Sequence, residues 1–318
     1  MSTPFSSCWT VTDGKSGMES QCLGLAEALG IDPIIKRIAL RNPWRDLSPH
    51  LRVGLQHAFH DNPLVPPWPD LLIATGRQSV PASLYVKQMS SRTRRVQIQN
   101  PGISPRHFDL VVTPMHDNLW GANVIQTIGA LHRVTPEKLA QEAALLEPRL
   151  AGLPRPFIGV LIGGANAVYR FGVEEAKHLG TEIARHAATS GGSVLITPSR
   201  RTGDENIAAL RAALGTTPGF VWDETGANPY FGILACADVL LVTGDSVNMV
   251  TEACASDHPV YIYALPGGST KFQRFHDALV LRGYARRYEG SLEIAPSNRL
   301  YEMTRVARAV AQLGNRNS

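Results

Sequence analysis

The sequence predicts an α/β protein built as two Rossmann-like, doubly wound domains that face a cleft. Three observations carry that expectation. Short apolar runs alternate with amphipathic stretches along the chain, which is the pattern of parallel βαβ units. The length of 318 residues suits two domains of about 150 each. The alternation breaks at Ala-Gly-Leu-Pro-Arg-Pro, residues 151–156, where the prolines and glycine end a helix and begin a new extended segment.

In the first half, residues 8–12 read as a strand, 19–29 as a helix and 34–38 as a second strand. Leu47, Leu51, Leu55 and Ala58 recur at helix spacing and predict a helix over 47–59. Residues 71–75 form a strand ended by Gly76, 80–89 a helix, 95–99 a strand, and 110–113 a strand stopped by Pro114. Residues 137–150 are helical in pattern. After the break, 157–162 is a strand ending in Gly163-Gly164, and 173–190 is a long helix. A strand at 194–197 and a helix at 204–214 follow, with Asp204 as its N-cap. Then come a strand at 220–222, a helix at 230–236, a strand at 239–243, a helix at 247–255, a strand at 260–263 and a helix at 272–282. The last helix, 298–313, follows Pro296. The domains are accordingly 1–152, 156–296 and a C-terminal helical segment 297–318.

Composition narrows the function classes. A hydrophobic fraction of 44% and a charged fraction of 18% exclude a disordered or fibrous chain. Cys8, Cys22, Cys236 and Cys254 form no CxxC pair, which argues against a disulfide scaffold or a cysteine zinc site and for reduced thiols in the cytoplasm. The net charge of +4 comes from short scattered groups rather than a basic stripe with interleaved aromatics, so nucleic acid is not an expected partner. It suits anionic ligands or an anionic membrane surface. The start of the chain lacks the pattern of a signal peptide, and no window is apolar enough to span a bilayer, so any membrane association is expected to be peripheral. One loop, FHDNPLVPPWPD at 59–70, offers Leu64, Val65 and Trp68 for such contact.

Three loops carry residues of chemical interest. In TDGKSGMESQ, 12–21, Gly14, Lys15 and Gly17 lie between a strand and a helix start, a favourable place for an anion, although Glu19 opposes it. In GVLIGGANAVYRFG, 159–172, Gly163, Gly164 and Asn166 offer a backbone cradle for phosphate, with Arg170 nearby. In 240–287, Thr243, Asp245 and Ser246 form a polar loop at a helix start and Glu252 sits in that helix, where a carboxylate accepts bonds from a ribose diol. A second polar loop, Pro266-Gly267-Gly268-Ser269, precedes Lys271, Gln273 and Arg274. Structural readings exist for each: turn glycines, helix caps and surface charges.

Together DGKSG, IGGAN with YRFG, TGDSVNMVTEAC and GGSTKFQRFHDALVLRG resemble the bacterial relatives of the plant "elongated mitochondria" fission factor, over nearly the whole chain. Bacterial members of that family carry the label of predicted nucleoside-diphosphate-sugar epimerases. The second half also resembles the donor domain of GT-B glycosyltransferases, above all the peptidoglycan enzyme that adds N-acetylglucosamine to a lipid-linked acceptor. Ser246, Glu252, Pro259, Gln273 and Gly283 match its loop, helix carboxylate, proline-led strand, glutamine and helix-ending glycine. The resemblance implies that Glu252 holds the ribose and that Gly163, Gly164 and Asn166 lie near the diphosphate. Arg170, Thr243, Ser246, Asn248, Lys271 and Gln273 complete the implied nucleotide-sugar set.

Where the peptidoglycan enzyme has a histidine near its acceptor, this sequence has Met18, which cannot take a proton. Asp13, Glu19 and His116 are then the candidate bases. The implied reading is a GT-B-type glycosyltransferase-like enzyme with a UDP-linked donor in the second domain and a lipid-linked or other acceptor at the first. A 2-epimerase acting on a nucleoside-diphosphate sugar and a non-catalytic membrane-associated adaptor are the alternatives. No cofactor beyond the nucleotide sugar and no metal is expected. There is no HExxH or DxD triplet, and His57, His60 and Asp61 read as surface residues. The expected place is the cytoplasm, peripheral at the inner membrane, and the resemblance implies that the last helix crosses back to the first domain.

Overall fold

The structure, a computed structural model, describes residues 4–61 and 63–315. Its contacts divide the chain into two units. The first runs to Arg133 and resumes at Tyr301, and the second is continuous from Val134 to Leu300.

The first unit contains β1 (Cys8–Thr12), α1 (Ser16–Ala28), β2 (Ile34–Arg37), α2 (Trp44–Leu47), β3 (Leu71–Thr75), α3 (Val80–Met89), β4 (Arg94–Ile98), β5 (Leu110–Pro114) and β6 (Val124–Thr127). The strands pair in parallel in the order β2-β1-β3-β4-β5-β6. β3 is apolar from Leu71 to Ala74 and buried at every residue, as a parallel strand covered on both faces requires. One face packs Cys22, Leu25 and Ala26 of α1 against Leu71, Ile73, Val96 and Ile98. The other packs Val80, Leu84 and Val86 of α3 with Leu55, Phe59 and Leu64. The chain runs out to β2 and returns to β3, so the topological switch point lies between β1 and β3.

The helix expected over 47–59 does not form. α2 ends at Leu47, Pro49 brings no N–H, and Gly54 turns left-handed at φ +62° before one 3-10 turn at Leu55–His57. Leu55 and Ala58 are buried nonetheless, so the spacing marked a core face rather than a helix. In the loop offered as a lipid contact, Leu64 is buried and the Trp68 ring packs tilted against Trp9, centroids 5.7 Å apart, which leaves Val65 as the exposed one of the three.

The second unit contains α4 (Pro136–Leu150), β7 (Phe157–Ile162), α5 (Val173–Ser190), β8 (Ser193–Pro198), α6 (Asp204–Leu214), β9 (Gly219–Val221), α7 (Tyr230–Cys236), β10 (Val239–Thr243), α8 (Val247–Cys254), β11 (Val260–Tyr263), α9 (Thr270–Leu281) and β12 (Arg286–Arg287). Its parallel order is β12-β11-β10-β7-β8-β9. Numbered within the unit this is 6-5-4-1-2-3, the dinucleotide-fold order, with its switch point between β7 and β10. Ile158, Val160, Leu179, Ile183, Ile196 and Leu241 are among the residues of its core. Gly203 rather than Asp204 is the cap of α6, and Asp204 occupies the first turn, where its charge still favours the helix dipole.

One segment falls differently from the expected boundary at 151–156. α4 belongs to the second unit because it lies against α7: a Cβ on Gly232 would come within 2.9 Å of Leu146 Cβ. Thr135 caps α4 by accepting from the Lys138 amide. The final helix, α10 (Met303–Asn315), places Val306, Ala307, Val310 and Leu313 in the first unit's core beside Leu25 and Leu29.

Candidate functional site

Open parallel sheets take ligands outside the carboxyl ends of their strands at the switch point. In the second unit that position is the space after β7 and β10. The Gly163 amide donates to Thr243 Oγ1 at 2.8 Å, and the Thr243 hydroxyl donates to Asp245 Oδ1 at 2.7 Å. The Asp245 side chain has no solvent exposure, and its carboxylate fills the place a Cβ on Gly163 would take, 2.1 Å from Oδ2. Arg201 Nη2 lies 2.8 Å from Asp245 Oδ2. The hydroxyls of Ser199 and Thr202 donate to the Gly163 carbonyl. Gly164 has φ +129°, and a Cβ there would sit 2.4 Å from the Arg201 carbonyl oxygen. The glycine pair is therefore required by close approach of two neighbouring loops.

Asn166 extends the same network. Its Oδ1 accepts from the Val168 and Tyr169 amides, at 2.9 and 3.0 Å, and its Nδ2 donates to the Asp245 carbonyl at 3.1 Å. Arg170 is exposed on a stretch bridged to the 266–268 loop, where Tyr169 pairs with Gly267 and packs edge-on against Phe272.

Ser246 caps α8 by accepting from the Met249 amide, and Asn248 is half-buried in the first turn. Glu252, one turn further on, is buried and accepts a 2.6 Å hydrogen bond from the Tyr230 hydroxyl at its Oε2. Burial, and then the Glu252 charge beside it, push the Tyr230 phenol well above its ordinary value, so it stays a donor. Tyr230 itself is anchored: its amide donates to Asn228 Oδ1, which also accepts from the Thr197 hydroxyl at the end of β8. Lys271 and Gln273 are exposed in the first turns of α9, which Ser269 caps.

The first unit's switch point carries the 12–21 loop. Gly14 has φ +82°, and Asp13 pairs with Lys15. Glu19 is bound by Arg37 through two bonds of 2.8 and 2.9 Å, so its charge is matched by an arginine. Met18 packs against Gly76 at the end of β3. His116 belongs to a different strand end. It follows β5, is almost wholly buried, and lies 3.9 Å from Asp117, which accepts from Thr113. β5 is three places from β1 in the sheet, about 14 Å at the usual strand spacing. Asp13 and Glu19 thus share one site, and His116 stands apart from it.

Among the described residues no group of three His, Cys, Asp or Glu side chains is arranged to hold a metal ion, and no helix is long and apolar enough to cross a membrane. A cavity of about 700 Å³ lies beside Val260, Tyr261, Arg286 and Asn298. It opens at the start of β11, the amino end of the sheet, where this class of fold does not bind nucleotides.

A family model for mitochondrial fission ELM1 matches residues 16–313. The chain belongs to the mitochondrial fission ELM1 family. The mitochondrial fission protein ELM1 of Arabidopsis thaliana is 31% identical over 278 residues, covering 77% of this chain. The aligned region spans 65% of that relative, less than two thirds of its length. Among solved structures, the UDP-GlcNAc 2-epimerase of Methanocaldococcus jannaschii matches with a TM-score of 0.56 at 11% identity, over 97% of this chain and 99% of that one. A UDP-glucosyltransferase from Polygonum tinctorium matches with a TM-score of 0.51 at 10% identity, over 100% of this chain and 94% of that one. At such identities the likeness shows the fold, which is GT-B: two Rossmann-like units in one chain.

Three more residues join this network in this ELM1-family chain: Asp245, which the sequence placed in the polar loop but not among the implied ligand contacts, and Arg201 and Tyr230, which sequence reasoning did not assign to the site. Asp245 reads as a helix cap, Arg201 as surface charge, and Tyr230 as the first residue of a short helix. The available signal was position alone, since Arg201 and Asp245 follow predicted strands at their carboxyl ends.

Proposed function

We propose that the second unit binds a nucleoside-diphosphate sugar, UDP-linked, and that the protein transfers the sugar to an acceptor as a GT-B-type glycosyltransferase. The observation that carries this reading is Glu252. It is a buried carboxylate at the β7/β10 switch point, held by the Tyr230 hydroxyl, which donates to its Oε2. A carboxylate so held is suited to accept both hydroxyls of a ribose. Ser246 and Asn248 lie at the start of the same helix, α8, and Lys271 and Gln273 in the first turns of α9, and these are the proposed further contacts of the nucleotide sugar. The names of the two solved neighbours, a UDP-GlcNAc 2-epimerase and a UDP-glucosyltransferase, support the same donor class.

In the transfer, an acceptor hydroxyl attacks the anomeric carbon, the bond from that carbon to the diphosphate oxygen breaks, and the nucleoside diphosphate leaves with the electron pair. The acceptor proton passes to a base. Asp13, Glu19 and His116 are the candidates, and the 12–21 loop with Gly14, Lys15 and Gly17 is the proposed acceptor side. Glu19 is the weakest of the three because Arg37 already holds both its oxygens. A lipid-linked acceptor or an anionic membrane surface is the proposed partner of this side.

The test is a thermal-shift panel of UDP, GDP, CMP and ADP on the wild type and on Glu252→Ala. A ligand at a hundred times its Kd adds about 2.7 kcal/mol of stability. We expect a shift with UDP that is lost in the variant. No shift with any nucleotide removes the donor site and leaves the adaptor reading. With binding established, release of UDP from a UDP-sugar only when an acceptor is present marks a transferase. Interconversion of the sugar without one marks an epimerase.

A further inference from the structure

The loops after β7, β8 and β10 meet on the Asp245 carboxylate, and that meeting changes what the glycine turn can do. The Gly163 amide is donated to Thr243, its carbonyl accepts from Ser199 and Thr202, and the space beside its Cα holds a buried anion. A diphosphate laid on this turn would meet a carboxylate at close range, and like charges at such distances repel strongly. The positive group at the same place is Arg201. Its Nη2 is 2.8 Å from Asp245 Oδ2, and its Nη1 donates to the Gly164 and Ala165 carbonyls at 3.3 and 3.4 Å. Its side chain is 41% exposed, whereas that of Asp245 is fully covered. A guanidinium has five N–H donors in a fixed plane, so these bonds fix its orientation and leave donors for a second acceptor.

We infer that Arg201 is the residue that meets the diphosphate of the bound nucleotide, and that Asp245 is its positioning residue. This rests on the reading that the second unit binds a nucleoside diphosphate. The arginine is carried by the loop after β8 and the carboxylate by the loop after β10, so the pair spans the end of β7, the strand at the switch point. The glycines admit the pair rather than the ligand. The carboxylate holds one edge of the guanidinium while the exposed edge serves phosphate oxygens, for which arginine's planar fork is suited. The site then separates ligands by charge: UDP binds through ribose and diphosphate, uridine through the nucleoside alone.

Isothermal titration with UDP and with uridine tests this on the wild type, Arg201→Lys, the double variant Arg201→Gln/Asp245→Asn, and Glu252→Ala. The double variant removes both charges together, so no buried carboxylate is stranded and the fold is kept, as its unliganded melting temperature checks. We expect the double variant to lose UDP affinity roughly ten- to a hundredfold, the worth of a charged hydrogen-bond set. Its uridine affinity stays within twofold, and Arg201→Lys falls between. UDP affinity within twofold of wild type in the double variant, with Glu252→Ala still losing it, overturns the assignment to Arg201 and leaves the nucleotide site standing. Equal loss of UDP and uridine also overturns it, because that is the result of a purely structural pair. A wild-type protein that binds neither ligand brings down the nucleotide reading and this inference with it.

Discussion

Asp245 and Glu252 flank the start of α8, one before it and one within it, and each is buried beside a named donor: Arg201 and Thr243 for the first, Tyr230 for the second. Their partners differ in kind. Arg201 is charged and exposed, whereas Tyr230 is a neutral phenol that burial keeps as a donor. The sequence made Glu252 visible through its motif, but no sequence pattern tells that Asp245 is covered, because Arg201 and Gly163 reach it from the ends of other strands. His258 links stability to pH. Burial is the main cause holding its imidazole below the ordinary 6.5, outweighing the bond to the Ala235 carbonyl and the nearby Asp238 and Asp257 charges; Arg155 adds to the lowering. As pH falls below 6.5, the unfolded chain takes up a proton that the folded chain refuses, so stability drops until the folded value is also passed. His107 and His186 are lowered for the same first reason and add to the slope. We expect the melting temperature to fall from pH 7 to 5 and His258→Gln to show a smaller fall. Calorimetry giving the same difference for both proteins rules out a contribution from His258.

At the scale of elements, what could be read from the sequence depended on burial. β1, β3, β7, β10 and β11 are buried at every residue, and their limits match the expected ones. β6 and β12 escaped notice because each closes an edge of its sheet. β6 mixes Val-Ile-Gln-Thr with partial exposure, and β12 is only two arginines. The failed 47–59 helix shows the converse, since apolar spacing without backbone donors or helical φ gives a buried coil. α10 is the element whose placement can be tested most directly. Its buried stripe of Val306, Ala307, Val310 and Leu313 joins α1 in the first unit's core, while Arg308 faces solvent. Val310→Ala should cost about 2 kcal/mol through lost burial and the cavity left behind. Arg308→Ala should stay within about 0.5 kcal/mol. Urea denaturation followed by circular dichroism measures both; equal midpoints for the two variants would contradict the packing.

At the scale of the whole molecule, the two units are built on different strand orders and differ in how the chain makes them. The first has the order 2-1-3-4-5-6 and takes its last helix from beyond Tyr301. The second has the dinucleotide-fold order and is one continuous stretch with all its strands, helices and core inside it. The expected count of two α/β halves could be read from the alternation alone. The division at Val134 could not, because the proline-rich break at 151–156 is the more conspicuous signal, and α4 is tied to α7 by packing around Gly232. Continuity has a consequence for folding. A segment that contains its own core and both partners of each sheet contact needs nothing from the rest of the chain to bury its apolar surface. Both ends of the second unit are secured within it, by the Thr135 cap at the start and by the buried Leu300, whose amide donates to the Cys254 carbonyl, at the end. The fragment 134–300 should therefore unfold in urea as one cooperative transition. The fragment 1–133, deprived of α10, leaves the faces of Leu25 and Leu29 uncovered and should show a loosened or absent transition. Adding residues 301–318 in trans as a peptide should restore part of it. A cooperative 1–133 fragment, indifferent to the peptide, would mean that α10 covers the first unit without being needed for its fold.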